Sequence, residues 1–286
     1  MARLVTFRAR SGALAVGIVR DETVFELADP EGPASAASPI LSVIAHGAIT
    51  PASDAPSWPL AEVDIVTPVP SPGKIIGVGL NYRSHADEAA REVSDYPVLF
   101  AKFANTVAGP ADPIRIPRVS HRIDYEGELA VVIGRVGRYI PREEAMAHVA
   151  GFMVANDVSA RDYQFRTKEM LSGKSFDGFA PMGPWLVTPD EVGDLAPRRL
   201  QTWVNGDLRQ DATLGEMIFP VDMLVSYISD IMTLEPGDVI LTGTPAGIGA
   251  SMTPRRWLRA GDEVRIAIEG IGEIVNRVAA EGEAVA

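Results

Sequence analysis

Short apolar segments alternate with clusters of glycine, proline, asparagine and aspartate along most of the chain, a pattern that predicts strands joined by turns. In the N-terminal part, it predicts strands at 4–8, 13–19, 23–27 and 63–66 and a short helix over 38–47. Residues 28–72 are rich in proline, alanine and serine, a composition typical of connecting segments. We therefore interpret residues 1–70 as a small N-terminal α/β module with a linker.

Longer apolar segments follow and predict a larger domain over residues 71–286. Its strands are predicted at 74–79, 98–102, 114–116, 125–133, 151–157, 184–187, 200–204, 238–242 and 263–268. Helices are predicted at 82–93, where Asn81 is the expected N-cap, and at 141–148 and 220–232. Because strands outnumber helices and do not alternate with them, the expected fold class is α+β and mainly β.

The amino-acid composition excludes several classes of protein and of partner. The chain has 286 residues and no cysteine, which excludes thiolate nucleophiles and Cys-ligated zinc. No apolar segment approaches the roughly 20 residues that span a bilayer. The N-terminus also lacks the apolar segment of a signal peptide, so we expect a cytoplasmic protein with no membrane partner. A formal net charge of −12 argues against a nucleic-acid partner, but not against a small acidic molecule bound by local cations.

Three carboxylates are the first candidate site. Glu126 and Glu128 are two positions apart in a predicted strand, so their side chains leave the same face, and Asp157 ends a second apolar segment. Charge next to such apolar segments needs compensation. Oxygen ligands without nearby histidine or cysteine favour Mg²⁺ or Mn²⁺, with Ca²⁺ as an alternative in a crystal. The competing interpretation is a solvated strand face, because acidic residues at 124, 126 and 128 alternate with Ile, Tyr and Gly.

His85 and Glu88 form the second candidate. Three positions apart on a predicted helix, they share a face, and the carboxylate can orient an imidazole that takes a proton from water. Spacing alone equally fits an exposed helical histidine beside a helix-forming glutamate.

Two further positions suit an anionic substrate. Lys174 can pair with a substrate carboxylate or a developing enolate, although most lysines lie on the surface. Thr244 lies in a glycine-rich turn over 241–249, whose backbone N–H groups can hold an anionic oxygen. The turn is not a P-loop, because it lacks the Gly-Lys-Ser/Thr ending.

Arg161 and Gln164 follow the aspartate of the second segment by four and seven positions. If a helical turn begins there, both lie on one side near the metal ligands, where Arg161 suits a bidentate contact to a carboxylate. A surface ion pair of Arg161 with Asp162 or Glu169 is the alternative.

The order of these motifs is more specific than any one of them. Along the chain they are Gly-Val-Gly-Leu-Asn-Tyr-x-x-His-x-x-Glu, Phe-x-Lys, Asp-Tyr-Glu-x-Glu-Leu-Ala-Val-Val-Ile-Gly, Asn-Asp-Val-Ser-Ala-Arg-Asp-x-Gln, Lys-Ser-Phe-Asp and Leu-Thr-Gly-Thr-Pro-x-Gly-x-Gly. From residue 74 to residue 268, the sequence resembles the fumarylacetoacetate hydrolase family. The short N-terminal module is similar to that of small bacterial members.

The resemblance implies a mixed β-sandwich roll, usually in a homodimer, with a divalent metal at the mouth. Carried onto this chain, it makes Glu126, Glu128 and Asp157 the metal ligands and His85 with Glu88 the water-activating pair. It makes Lys174, Arg161, Gln164 and Thr244 the substrate contacts. The chain departs from many relatives at Lys102-Phe103, where they have Lys-Pro, so the role of Lys102 stays open.

The resemblance also implies a small 2-oxo acid as substrate. We expect hydrolysis of a C–C bond in an acylpyruvate, such as acetylpyruvate or fumarylpyruvate, to pyruvate and a carboxylic acid. The alternatives are decarboxylation of oxaloacetate and isomerisation or decarboxylation of hydroxymuconate-type intermediates of aromatic catabolism. A non-catalytic binding protein is the fourth interpretation, against which the complete set of acidic and basic groups argues.

Overall fold

The computed structural model describes residues 3–9, 11–28, 39–46 and 49–283. The strands are β1 Arg3–Arg8, β2 Leu14–Arg20, β3 Thr23–Glu26, β4 Ser57–Pro59, β5 Asp64–Val66, β6 Ile75–Gly79, β7 Val98–Lys102, β8 Val107–Ala108, β9 Ile114–Ile116, β10 Ile123–Asp124, β11 Gly127–Ile133, β12 Val149–Asn156, β13 Ser159–Ala160, β14 Ala180–Val187, β15 Arg199–Val204, β16 Asp207–Thr213, β17 Val239–Leu241, β18 Glu263–Ile268 and β19 Gly272–Ala280.

The helices are short. The α-helices are α1 Pro39–Ala45, α2 Arg83–Glu88, α3 Arg161–Gln164, α4 Leu171–Lys174, α5 Pro189–Val192 and α6 Val221–Ile231. Segments of 3-10 helix lie at Leu60–Glu62, Ala104–Thr106, Arg142–His148, Leu214–Glu216 and Gly249–Ser251. The expected mainly-β class is therefore confirmed.

Two large sheets form the body of the protein. The first has twelve strands, ten of them in the order β4-β3-β2-β1-β14-β12-β11-β17-β6-β7, while β5 pairs with β1 and β8 pairs with β14. The second has five strands in the order β16-β15-β18-β19-β9, and β10 pairs with β13 apart from both. Strands β11, β12 and β14 contact β15, β18 and β19. The apolar residues between the sheets form one continuous core.

Strands from the N-terminal segment belong to the first sheet. β1 pairs with β14 through Arg3 opposite Val187 and Leu4 opposite Leu186, and it also pairs with β2 and β5. Leu4 lies in the same apolar cluster as Met153 of the central strand β12. Hydrogen bonding and packing thus extend across residue 70, where the sequence suggested a boundary, and the division into a module and a domain stays a prediction.

The helix expected over 82–93 is shorter than predicted, and Asn81 does not cap it. Tyr82 is the N-cap residue without a side-chain cap hydrogen bond, and the helix ends at Glu88. Asn81 Nδ2 instead donates to the carbonyl oxygens of Phe219 and Thr242, at 3.0 and 2.7 Å, and its Oδ1 accepts from Phe219 N. Three hydrogen bonds from a buried amide to distant backbone groups stabilise the fold more than a single hydrogen bond that caps the helix.

The two other predicted helices of the main body have different outcomes. The segment expected at 141–148 is a 3-10 helix, and the helix expected at 220–232 is α6. Among the described residues, no helix has both the length and the apolar character needed to cross a membrane.

The register of β11 and β12 brings the acidic motifs together. The strands are antiparallel, with Gly127 opposite Asn156 and Glu128 opposite Ala155. Beyond the paired residues, Asp157 N donates to Glu126 O at 2.9 Å. Glycine is required between the two glutamates, because a Cβ at Gly127 would collide with Thr202 Oγ1 of the facing sheet. The first sheet thus places three carboxylates at one end of its central strand pair.

Candidate metal centre and adjoining cavity

Glu126, Glu128 and Asp157 form a compact cluster at this end of the sheet. Each offers a carboxylate oxygen, and these oxygens all lie within 4.8 Å of one another. The exposed fractions of the three residues are 6%, 1% and 0%, so the alternative of a solvated strand face is wrong. Strand alternation does place the glutamates on one face, opposite to Gly127 and the second sheet. The segments that carry Arg161, Lys174 and Gly243 cover that face.

Two cations hold the outer oxygens of the cluster. Lys174 Nζ lies 2.7 Å from Glu126 Oε2 and 2.6 Å from Asp157 Oδ2, and Arg161 Nη1 lies 2.7 Å from Glu126 Oε1. Burial raises the pKa of Glu126, but Lys174 and then Arg161 outweigh it and hold that pKa below its ordinary value. Glu126 is therefore fully ionised.

Glu128 has no such partner. Its Oε2 accepts a hydrogen bond from Gly243 N at 2.7 Å, but no basic side chain of the described residues comes within ion-pair distance. Burial, followed by the negative charges of Asp157 and Glu126, raises the pKa of Glu128 well above its ordinary value. An uncompensated buried carboxylate beside two others is costly, and a divalent cation is what this oxygen set would accommodate. The residues present thus fit a metal of the Mg²⁺ or Mn²⁺ class.

Lys102, whose role the sequence left open, is a buried counter-ion. Its Nζ donates to Asp157 Oδ1 at 2.6 Å, to Phe179 O at 2.8 Å and to Val158 O at 3.3 Å. These contacts use all three protons of the ammonium group. Burial lowers the pKa of Lys102, while the charge of Asp157 opposes that shift. Lys102 therefore fixes Asp157 and leaves no donor for a substrate.

Arg161 is buried and makes no surface ion pair. Its Nε donates to Asp124 Oδ2 and its Nη1 to Gln164 Oε1, both at 2.9 Å. The alternative pairing with Asp162 is wrong, because Asp162 accepts from Ser120 instead. Nη2 lies 2.9 Å from Asp124 Oδ2 in the same ion pair and is buried.

Asp124 is a site residue that sequence reasoning treated only as part of a strand face. It is completely buried, pairs with Arg161, and accepts hydrogen bonds from Gly249 N at 2.8 Å and Ala250 N at 3.0 Å. Burial raises the pKa of Asp124 even though Arg161 opposes the shift. In the sequence, Asp124 alternates with other residues in the same way as Glu126 and Glu128, and this spacing could have pointed to it.

His85 and Glu88 lie at the edge of the cavity on α2. His85 Nδ1 is 3.5 Å from Glu88 Oε2, and Glu88 Oε1 accepts a hydrogen bond from Gly247 N at 3.0 Å. His85 is only 9% exposed, so it is not an exposed surface histidine. The long separation matches catalytic pairs that tighten when substrate binds.

The glycine-rich turn holds the acidic side chains of the site. Gly243 N donates to Glu128, and Thr244 Oγ1 donates to Gly127 O at 2.9 Å while it accepts from Gln210 at 2.7 Å. The hydroxyl proton of Thr244 is thus used within the protein. A contact from this turn to substrate stays a prediction.

A cavity of about 450 Å³ joins these groups. The predicted residues on its walls are Glu126, Glu128, His85, Glu88, Arg161, Gln164, Lys174 and Thr244. Asp157 lies behind them, where Lys102 and Lys174 hold it. Part of the wall is apolar and includes Val78, Leu80, Phe100 and Ile248. Such a cavity is large enough for a small acid and keeps one side of it away from water.

Comparison with known proteins gives a consistent family match. The family model described as fumarylacetoacetate (FAA) hydrolase C-terminal matches residues 74–279. A mitochondrial protein of Bos taurus, oxaloacetate tautomerase FAHD2B, is 46% identical over 229 residues, which are 79% of this chain and 73% of that protein.

Two solved structures share the fold over almost the whole chain. The 2-hydroxyhepta-2,4-diene-1,7-dioate isomerase of Mycobacterium marinum is 36% identical with a TM-score of 0.81, covering 99% of this chain and 100% of that one. A maleylpyruvate hydrolase of Sphingobium sp. SYK-6, solved in complex with manganese(II) and pyruvate, is 31% identical with a TM-score of 0.79. Their alignment covers 97% of this chain and 99% of that one.

Proposed function

Because the chain belongs to the fumarylacetoacetate hydrolase family, we propose that it is a divalent-metal-dependent enzyme that interconverts the keto and enol forms of oxaloacetate. The observation that carries the proposal is the position of His85 and Glu88 beside a cavity that also contains the uncompensated Glu128. A histidine poised to move a proton, next to a site for a cation that stabilises an enolate, is what this reaction requires. The similarity to the bovine oxaloacetate tautomerase supports the choice of substrate.

Glu126, Glu128 and Asp157 would hold Mg²⁺ or Mn²⁺ as oxygen ligands. When bound, the cation supplies Lewis acidity that stabilises the negative charge of the enolate. The manganese in the related maleylpyruvate hydrolase supports a cation of this class. The site contains four buried carboxylates and three buried cations, so it has one negative charge in excess. The carboxylates are those of Asp124, Glu126, Glu128 and Asp157, and the cations are Lys102, Arg161 and Lys174. A divalent cation changes this excess to one positive charge and so favours an anionic substrate.

His85 acts as the base in the proposed reaction. Its Nδ1 is turned toward Glu88, which leaves Nε2 to take a proton from the carbon next to the keto group. Glu88, held by Gly247 N, stabilises the imidazolium that forms. Return of this proton to the substrate oxygen completes the keto-to-enol change, and the reverse order completes the enol-to-keto change. No atom is gained or lost overall.

Lys174 stabilises charge and does not serve as the base. Burial lowers its pKa, but Asp157 and Glu126 outweigh burial and raise the pKa above the ordinary lysine value. The ammonium group therefore stays protonated and lies beside the carboxylate cluster, where a developing oxyanion gains from its field. Arg161 also lines the cavity, where its fixed positive charge suits the substrate carboxylate.

Acylpyruvate hydrolysis is the second candidate. His85 and Glu88 also suit activation of a water molecule that attacks the distal carbonyl of the substrate. The name of the related maleylpyruvate hydrolase indicates a hydrolysis of this kind, which supports this candidate. The products would be pyruvate, or a homologue, and a carboxylic acid.

Direct comparison of substrates separates the candidates. Purified protein with Mn²⁺ is offered enol-oxaloacetate, acetylpyruvate and fumarylpyruvate, and the ultraviolet absorbance of each enol is followed while pyruvate is assayed enzymatically. We expect rapid loss of the oxaloacetate enol without release of pyruvate. Faster cleavage of an acylpyruvate would favour hydrolysis, and release of pyruvate from oxaloacetate at the rate of enol loss would favour decarboxylation.

A further inference from the structure

The cavity has two arginines at its solvent-facing rim that the proposed proton transfer does not use. Arg91 and Arg255 both line the cavity, and both are exposed, in contrast to the buried carboxylates on its floor. Across residues 3–9, 11–28, 39–46 and 49–283, no side-chain hydrogen bond or ion pair to either guanidinium is found. A charged group that lines a cavity without an internal partner is available to a ligand.

The other cations on the wall are already engaged. Lys174 contacts Glu126 and Asp157, and Arg161 contacts Asp124 and Glu126. Apolar side chains form another part of the wall, with Leu80, Val98, Phe100 and Met170 among them. Among the described residues that line the cavity, Arg91 and Arg255 are therefore the cations left for a second negative charge on a substrate.

Arg255 is held in place by its own loop. Gly249 N and Ala250 N are anchored on the buried Asp124, and Arg256 N donates to Gly249 O at 3.0 Å. The backbone is so close here that a Cβ at Gly249 would collide with Arg256 O. Residues 248–255 thus form a closed loop along one wall, with Arg255 at its end. Arg91 comes from the segment after α2, where its backbone N–H bonds Ala86 O at 3.0 Å.

We propose that Arg255, assisted by Arg91, binds the distal carboxylate of the substrate and makes the site selective for dicarboxylic 2-oxo acids. The inference rests on the proposed function, because it requires the 2-oxo-acid end of the substrate to bind at the metal site formed by the three buried carboxylates. With that end fixed, the far end of the molecule points toward the rim. A neutral or apolar far end gains nothing from the two arginines, whereas a carboxylate gains charge-assisted hydrogen bonds.

The test uses two unreactive ligands of equal chain length. 2-Oxoglutarate has a distal carboxylate and 2-oxopentanoate has a methyl group in its place, so their affinities for the Mn²⁺-loaded protein, measured by isothermal titration calorimetry, report the distal contact. We expect the wild-type protein to bind 2-oxoglutarate at least about ten-fold more tightly. Arg255→Met should remove most of this preference, and Arg255→Met with Arg91→Met should remove all of it. Binding of 2-oxopentanoate should not change.

The matched control is Arg256→Met. Arg256 is an adjacent exposed arginine that does not line this cavity but lines a neighbouring one, whose wall also includes Arg255. Its removal therefore changes the net charge equally and leaves both arginines of the rim in place. We expect it to keep the preference. Equal affinities in the wild-type protein, a full preference in the double variant, or an equal loss in Arg256→Met would each overturn the inference.

The binding experiment and the oxaloacetate assay distinguish a failure of the Arg255 site from a failure of the proposed function. A protein that prefers 2-oxoglutarate through Arg255 but leaves enol-oxaloacetate unchanged would retain the dicarboxylate site and lose the tautomerase assignment. A protein that converts oxaloacetate at the same kcat/KM in Arg255→Met as in the wild type would retain the tautomerase assignment and lose the role of Arg255.

Discussion

Lys102 Nζ lies 2.6 Å from Asp157 Oδ1, and both side chains are completely removed from solvent. Desolvation makes such a pair expensive to form, but removal of one partner leaves an uncompensated buried charge. The pair is therefore a fixed feature of the site, and Asp157 depends on it for its position between β12 and the following loop.

We expect Lys102→Met to lower the free energy of unfolding of the metal-free protein by about 3 kcal/mol, because Asp157 loses one of its two buried counter-ions and keeps only Lys174. Chemical denaturation measures the change. Asp157→Asn in the same background should restore part of the loss, since the amide carries no charge. The exposed pair Arg199–Asp211 provides the control, because Arg199→Met should shift the midpoint far less. Equal effects at both pairs would contradict the account.

Glu128→Gln should have opposite effects on metal binding and on the stability of the metal-free protein. The amide keeps the acceptor for Gly243 N but removes a buried charge that has no ion-pair partner. We expect the metal-free variant to melt at a temperature at least about 2 °C higher than the wild type. Added Mn²⁺ should raise the melting temperature of the wild type and leave that of the variant unchanged, as differential scanning calorimetry can show. A large stabilisation of the variant by Mn²⁺ would remove Glu128 from the ligand set.

The pH dependence of this difference follows from the raised pKa of Glu128. Its ordinary value is 4.5, and the folded value lies well above it because of burial and then the charges of Asp157 and Glu126. The stabilising effect of the neutral form is present below pH 4.5 and is lost as the pH rises through the folded pKa. The melting advantage of metal-free Glu128→Gln should therefore be small near pH 4.5 and grow toward neutral pH. An advantage that shrinks with rising pH would have the wrong sign.

His85→Ala should lower kcat for the oxaloacetate tautomerase reaction by about 100-fold or more, the usual contribution of a positioned base. Glu88→Gln should have a smaller effect, because the amide oxygen can still accept from Gly247 N but no longer stabilises an imidazolium. Neither variant removes a carboxylate of the metal cluster, so the affinity for Mn²⁺, measured by electron paramagnetic resonance, should fall far less than it does in Glu128→Gln. Unchanged kcat in His85→Ala would assign the proton transfer to another group.

Much of the strand pattern could be predicted because apolar segments determine it. Ile75–Gly79, Val98–Lys102 and Glu263–Ile268 appear close to their expected bounds. β16 and β19 were missed because each includes charged or amide residues, among them Asp211 and Asn276, that break the apolar pattern. Asp211 is exposed on the edge strand, whereas Asn276 is buried and its Nδ2 donates to Asp112 O at 2.8 Å, and local sequence reveals neither environment.

The acidic and basic residues of the site could be named from sequence, but their pairing could not. Arg161 was equally compatible with a surface ion pair, and only the fold brings it to Asp124, which is 37 positions away in the chain. Lys102 meets Asp157 across 55 positions and Asn81 meets Thr242 across 161. These contacts depend on strand order and loop closure, which spacing within one segment does not determine.

We propose that proton transfer in oxaloacetate requires a divalent cation held by Glu126, Glu128 and Asp157. The most direct test of this requirement is the rate at which the absorbance of enol-oxaloacetate falls with Mn²⁺-loaded wild-type protein, with the same protein in excess chelator, and with Glu128→Gln. We predict that the Mn²⁺-loaded wild-type protein makes the enol disappear much faster than buffer alone does. In the other two samples, the rate should equal that in buffer alone. Full acceleration in chelator, or in Glu128→Gln, would contradict the account.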